Sequence, residues 1–327
     1  MRRFRTVAVL SAMIAIAGLV TPHFAGAQGW PSKPVRVVVP QPPGGPADIM
    51  GRMLAQRLSA KFGQPFVIEN RSGANGNIGT EYVAKSPPDG YTLVSDTSGP
   101  LTSNRYLYKS MGYDPVKDLT PIVLISEVPL IALVNQKVPA KNLAELAELA
   151  RAQPGKLNAG SSTGNGSMSH LTLELFKSIA KADLVHVPFK SPAQAFPELL
   201  SGNIQVIFDP ITTSIKHLQA GTLRGLAVTT RVRFPAVPDV PTAIEQGFNI
   251  EASFWSALLG PAGLPRPIVD KLNQAANEYL KMSETPAKLV AIGMQPIGGS
   301  PERLSALIAS DSEKWKRVIE AAGIRMD

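Results

Sequence analysis

The sequence predicts an α/β protein built as two lobes with a ligand cleft between them. Strand-like and helix-like segments alternate along most of the chain, which is the pattern of parallel sheets covered by helices on both faces. The length of 327 residues suits two domains of ordinary size better than one. Hydrophobic residues make up 44% and charged residues 18%, a globular and not a disordered balance.

The elements follow in order. Val35–Val39 is a β-branched apolar run ended by Pro40, and Met50, Met53, Leu54 and Leu58 then repeat at helical spacing. Residues 66–68, 91–94, 122–125 and 130–134 read as further buried strands. Leu143, Leu146, Ala147 and Ala150 mark an amphipathic helix that Gln153-Pro154-Gly155 stops. Strands at 184–189, 205–208 and 223–228 are separated by helical stretches at 167–180 and 193–200. From Pro265 onward the chain turns helical, with stripes at Ile268, Leu272, Ala275 and Tyr279 and at Leu304, Leu307, Ile308, Trp315 and Ile319. A break at 126–129 and the run 254–259 leading to Gly260-Pro261-Ala262-Gly263 read as places where the chain changes lobe. The expected division is residues 28–126 with 254–327 in a discontinuous first lobe and 127–253 in the second.

Arg2, Arg3 and Arg5, the apolar run from Val7 to Val20, and Ala25-Gly26-Ala27 have the order of a secretory signal peptide cleaved after Ala27. The apolar run is shorter than the roughly 18 residues a spanning helix needs. A soluble, secreted chain starting at Gln28 is expected. Losing three arginines and no acid lowers the formal charge from +8 to +5. The remaining basic residues are scattered among acids, and the densest run, Arg231-Val232-Arg233, has no interleaved aromatics, so no nucleic-acid partner is expected. The excess suits a mild attraction for small anions. Cysteine is absent, which excludes disulfides, thiol nucleophiles and thiolate metal sites. The four histidines are isolated and no calcium loop is present, so neither metal nor cofactor is expected.

Two strand-to-helix loops carry the candidate chemistry, because open α/β sheets bind ligands beyond the carboxyl ends of their strands. The first, Pro40-Gln41-Pro42-Pro43-Gly44-Gly45-Pro46-Ala47-Asp48, lets backbone approach a ligand and aims a helix N-terminus at it, with Asp48 expected to cap the helix. The second, Gly160-Ser161-Ser162-Thr163-Gly164-Asn165-Gly166-Ser167, adds hydroxyls, an amide and another helix N-terminus. Asp209 ends an apolar strand and reads either as a cap for a helix at 212–218 or as a pocket group. Gly73-Ala74-Asn75-Gly76-Asn77-Ile78-Gly79 is not a dinucleotide fingerprint and reads as a tight turn that could line a cleft. Gly160-x-Ser162-x-Gly164 also matches a hydrolase nucleophile elbow, with Asp209 and His217 in triad order. No oxyanion loop accompanies it, and His170 and His186 read as structural.

Taken together, these loops resemble the periplasmic receptors of tripartite tricarboxylate transporters, the Bug receptors. The matching stretches include Trp30-Pro31-Ser32-Lys33-Pro34, Pro42-Pro43-Gly44-Gly45 with Asp48 and Arg52, and Val67-Ile68-Glu69-Asn70-Arg71. Pro88-Asp89-Gly90-Tyr91, Tyr113-Asp114-Pro115, Val185-His186-Val187-Pro188-Phe189-Lys190 and Pro238-Asp239-Val240-Pro241-Thr242 follow in the same order. The resemblance implies a two-lobed fold of the type II periplasmic-binding class that closes on one small organic carboxylate. It implies a monomer that delivers this ligand to membrane components of a transporter and catalyses nothing. Carried over by position, the two loops supply Gly44, Gly45, Ala47 and Asp48, then Thr163, Asn165 and Ser167, with Ser98 and Asp209 as further pocket residues. The sequence departs from the family's pattern at Gln41 and at Phe254 beside Trp255, which bears on ligand identity. Gln41 is expected to offer an amide to a second polar group on the ligand, and Phe254 to narrow the cleft, to stack on an aromatic carboxylate or, equally, to serve the core. Arg52, one turn into the helix, reads as structural. A ligand sensor without transport is the alternative the sequence does not separate, and the serine esterase is the enzymatic rival.

Overall fold

A sheet path of strands in the order Phe66–Asn70, Val35–Val39, Thr92–Thr97, Ser253–Pro261, Leu119–Asn135, Val206–Pro210, Asn158–Ser161 and Val185–Pro188, with Leu223–Val228 and Gln295–Pro296 attached to Leu119–Asn135, organises the chain. The structure is a computed structural model and describes residues 29–326. The expected signal peptide and its cleavage site lie outside the described residues. From Pro31 on, the chain forms one contact-dense unit.

The first half contains β1 (Val35–Val39), α1 (Pro46–Phe62), β2 (Phe66–Asn70), α2 (Asn77–Ala84), β3 (Thr92–Thr97) and α3 (Asn104–Leu107). β4 (Leu119–Asn135) then leads into α4 (Leu143–Ala152), β5 (Asn158–Ser161), α5 (Met168–Ala180) and β6 (Val185–Pro188). α6 (Pro192–Ser201), β7 (Val206–Pro210), α7 (Ile211–Gln219) and β8 (Leu223–Val228) complete the second half. β9 (Ser253–Pro261) returns, and α8 (Arg266–Leu280), α9 (Glu284–Ala291), β10 (Gln295–Pro296) and α10 (Pro301–Ala322) close the chain.

Two expectations need correction. The break anticipated at 126–129 is absent, because β4 is one strand of 17 residues. Its first part pairs with β9 and its last part, Leu130–Asn135, with β7 and β8, so a single strand serves both halves of the sheet. The sheet is also not parallel throughout. β1 is parallel to β2 and β3, and β5 to β6 and β7, but β4 and β9 run antiparallel to each other and to the strands beside them. A continuous apolar run shows that a strand is buried on both faces, and direction is not encoded in it.

Two apolar clusters fill the halves. One gathers Val38, Val94, Leu124, Trp255 and Leu259, and the other Leu171, Phe176, Phe208 and Leu226. α10 joins them, with Leu304 and Ile308 in the first cluster and Trp315 and Ile319 in the second. Ser300 starts that helix by accepting the Arg303 N–H, and Gly323 ends it at φ +65°. No helix among the described residues is long and apolar enough to cross a membrane.

Candidate functional site

The β1–α1 loop is shaped by contacts that leave little choice of residue. Gly44 sits at φ +82°, a region open chiefly to glycine, and its N–H donates to Asp48 Oδ2 at 2.9 Å. Gly45 is the residue before α1 and Pro46 its first residue, where a missing N–H costs nothing. Gly79 lies so close beneath the loop that a Cβ there would stand 2.7 Å from the Arg71 carbonyl and 2.8 Å from Pro40 Cβ. Asp48, expected to cap α1, does not, since no side chain caps that helix. Its buried carboxylate instead accepts from Gly44 N–H, Arg52 Nε at 2.9 Å and Asn70 Nδ2 at 2.8 Å. Burial disfavours the charge, yet the hydrogen bonds from Arg52, Gly44 and Asn70 outweigh it and hold the pKa at about 2. Arg52 therefore braces the loop through Asp48.

The Ser/Gly loop is braced from below. Ser167 accepts the His170 N–H to cap α5 and donates to the Gly164 carbonyl at 2.7 Å. His170 Nδ1 accepts the Gly166 N–H, and its ring stacks on His186 with centroids 3.7 Å apart. His186 Nε2 in turn meets Ser161 Oγ at 2.7 Å. Burial lowers both imidazoles, His170 to about 3 and His186 to about 4, so the pair is neutral near pH 7.

These loops border a cavity of about 670 Å³ at the carboxyl ends of β1, β3, β5, β6 and β7. Four helix N-termini meet there: α1 through Gly45 to Ala47, α5 through Ser167 and Met168, α6 through Ser191 and Pro192, and α7 through Pro210, Thr212 and Thr213. Ser98, Gly99 and Ser103 contribute from the turn after β3, and Gln41 and Asn75 from the neighbouring loops. Among the described residues, no Asp, Glu, Lys, Arg or His lines this cavity. Ser98 is fully buried, and neither its Oγ nor Thr212 Oγ1 has a hydrogen-bond partner among the described residues. First-turn N–H groups, dipole ends and spare hydroxyls, with no acid in the lining itself, form a binding site for an anion.

Of the residues singled out in the sequence, Gln41, Gly44, Gly45, Ala47, Ser98, Thr163 and Ser167 line the cavity, and so does Phe254. Asp48 lies behind it and Asn165 is exposed outside it. Asp209 is fully buried one residue before the lining. Its Oδ2 accepts from the hydroxyls of Thr213 and Ser214 (2.6 Å for Ser214), so it binds side chains of α7 and takes no backbone N–H as a cap would. Burial raises its pKa, against the opposing hydroxyls of Ser162, Ser214 and Thr213. Ser162 approaches this carboxylate, but its Oγ and Asp209 Oδ1 both lack a hydrogen-bond partner. The hydrolase geometry is missing: Ser162 is fully buried outside the cavity lining, and His217 meets Thr222 and stacks on Phe196.

Sequence reasoning missed Ser191, Pro192, Thr212 and Thr213, although each follows a strand end as the two chosen loops do. It also missed Ser126, Val128 and Ser256, which lie inside β4 and β9. A larger groove of about 1000 Å³ runs between α5 and α10. Its charges are largely paired with each other, as Lys177 with Glu174, Arg231 with Glu251 and Lys314 with Asp311, so it offers no convergent donor set. Among the described residues, no cluster of three or more His, Cys, Asp or Glu could hold a metal ion.

A sheet with helices on its faces, two halves sharing long crossing strands and helix N-termini gathered at one uncharged cavity define a solute-binding receptor. Residues 50–324 match the family model described as tripartite tricarboxylate transporter family receptor. The chain is 34% identical over its whole length to all of protein BugT of Bordetella pertussis. Among solved structures it is similar to Rpa4515 of R. palustris with adipate, at 39% identity and a TM-score of 0.78 over 90% of this chain and 99% of that one. It is also similar to MatC of Rhodopseudomonas palustris with bound malate, at 32% identity and a TM-score of 0.74 over 89% and 100%. The chain belongs to the tripartite tricarboxylate transporter receptor family, whose members are periplasmic solute-binding receptors with this fold.

Proposed function

We propose that the chain captures a small organic carboxylate in the 670 Å³ cavity and hands it to the membrane components of a tripartite transporter. The observation that carries this reading is the meeting of four helix N-termini at a cavity with no charged side chain in its lining. Adipate and malate, the ligands named with two related structures, are carboxylates. The first grip comes from Gly44, Gly45 and Ala47 facing Thr163 and Ser167, with Ser98 beside them and Gln41 at the rim. Asp48 and Asp209 act behind this surface, one holding the β1–α1 loop and the other the first turn of α7.

The two halves of the sheet act as lobes that close on the ligand, bending where β4, β9 and α10 pass between them. Neutral donors suit a receptor that must later release its cargo, because bidentate pairing with a buried arginine binds more tightly. The reading includes no bond-breaking step; Ser162 lies outside the cavity lining and His217 meets Thr222, which supports it. The protein works as a monomer in the periplasm, after a 27-residue leader is removed behind Ala27.

A thermal-shift panel of mono- and dicarboxylates, neutral sugars and divalent cations tests the reading. Stabilisation by one or more carboxylates and by no sugar or metal is expected. A sugar or a cation as the stabilising compound would overturn it.

A further inference from the structure

The cavity floor is made where β4 and β9 pair, and its chemistry differs from that of the surrounding loops. Ser126 stands opposite Ser256, and Val128 opposite Phe254. Side chains alternate along a strand, so these four share one face and Glu127 and Trp255 take the other. All four line the cavity. Trp255 borders the cavity as well, but its indole N–H goes to Asp311 on α10. The two serine hydroxyls bond each other at 2.8 Å, so one of their two protons is already committed. Phe254 is half-buried, backed by the second apolar cluster, and its ring stacks on no other aromatic ring among the described residues. Val128 beside it is buried, and Met168, Pro192 and Pro210 extend the apolar surface.

We infer that Phe254 and Val128 seat the flat apolar body of an aromatic carboxylate, so that Phe254 sets the ligand class of this receptor. The inference rests on the carboxylate reading above and adds the part of the ligand that is not the carboxylate. A phenyl ring with a free edge or face pairs best with another aromatic ring, in an offset or edge-to-face contact. A hydroxylated chain such as malate finds hydrogen-bond partners on this floor only at Ser126 and Ser256, and a hydroxyl laid against Val128 and Phe254 is desolvated without a partner, which weakens binding. A puckered saturated ring matches the size of benzene and lacks its flat face.

Isothermal titration of the full mature chain with benzoate, cyclohexanecarboxylate, adipate and malate tests this. Benzoate is expected to bind about tenfold more tightly than each of the other three. Phe254→Leu keeps apolar bulk and removes the ring, so it should weaken benzoate about tenfold and move malate less than about twofold. Phe254→Tyr restores the ring and should bring benzoate back to within about threefold of the parent. Melting of each variant without ligand checks that it is folded. Adipate or malate binding more tightly than benzoate, or unchanged benzoate affinity in folded Phe254→Leu, overturns the inference and leaves the carboxylate reading in place. Binding of none of the four acids overturns both.

Discussion

Trp255 Nε1 donates to Asp311 Oδ2 at 2.7 Å, joining the strand that floors the cavity to the helix that serves both apolar clusters. Both residues are buried, and Lys314 Nζ donates to the other carboxylate oxygen at 2.8 Å. Asp311→Ala leaves the indole N–H buried without an acceptor and is expected to lower the unfolding free energy by about 2 kcal/mol. Asp311→Asn keeps an acceptor oxygen and should cost about half as much. Urea unfolding without ligand measures both. Equal stability of the alanine variant and the parent would show that the bond carries no structural weight.

Buried titrating groups give the acid limb of stability a definite sign. His170 and His186 are neutral in the folded protein down to about pH 3 and about pH 4, but protonate near pH 6.5 once unfolded. Between pH 4 and 6.5 the unfolded chain therefore binds more protons at these sites, and their contribution to stability is lost as pH falls. Asp96 acts the other way. Burial, opposed by hydrogen bonds from Thr80 Oγ1 and the Thr97 N–H, raises it to about 7, so its contribution is present below the unfolded value of 3.8 and lost as pH rises. Each site changes the slope by at most about 1.4 kcal/mol per pH unit. Asp96→Asn should steepen the rise in stability from pH 4 to 6.5, and His186→Gln should flatten it. Denaturant midpoints across that range check the two signs, and slopes shifting in the same sense would contradict the assignments.

Ser98 has a buried hydroxyl with no hydrogen-bond partner among the described residues. Ser98→Ala removes a desolvated group and should leave ligand-free stability unchanged or slightly higher. The same change should weaken the bound carboxylate about tenfold, since a hydrogen bond to a charged group is lost. Calorimetric unfolding with and without ligand separates the effects. A variant destabilised without ligand and unaltered in affinity would make Ser98 structural only.

Mature protein from the periplasmic fraction should begin at Gln28. N-terminal sequencing and intact mass decide this, and a chain retaining Arg2 to Ala27 would contradict the leader assignment.

The loops after β1 and β5 were legible because glycine, proline and serine after an apolar β-branched run mark a strand end, and the strand-end rule gives such loops a purpose. The same rule covered Ser191 and Thr212, but nothing in Lys190-Ser191-Pro192 or Asp209-Pro210-Ile211-Thr212 sets them apart from ordinary helix starts. Val128 and Ser256 could not be found that way. They reach the cavity only because two strands more than 100 residues apart pair in a register that puts Ser126 opposite Ser256. Polar Ser126 and Glu127 followed by Pro129 broke the apolar run and read as a gap, whereas pairing to β9 carries the strand through them. Asp48 was legible as a helix-start acid, but its partner is the loop before the helix.

The most direct test of the central claim compares adipate, malate and benzoate with their methyl esters by isothermal titration, recovering each compound afterwards. Esterification keeps the body and removes the anion that the helix N-termini hold. At least one acid should bind, with its ester weaker by about a hundredfold, as expected for the loss of two hydrogen bonds to a charged group. Every ester should be recovered intact. An ester that binds as tightly as its acid, or that is hydrolysed, would contradict the account of an anion receptor that holds its ligand without reacting with it.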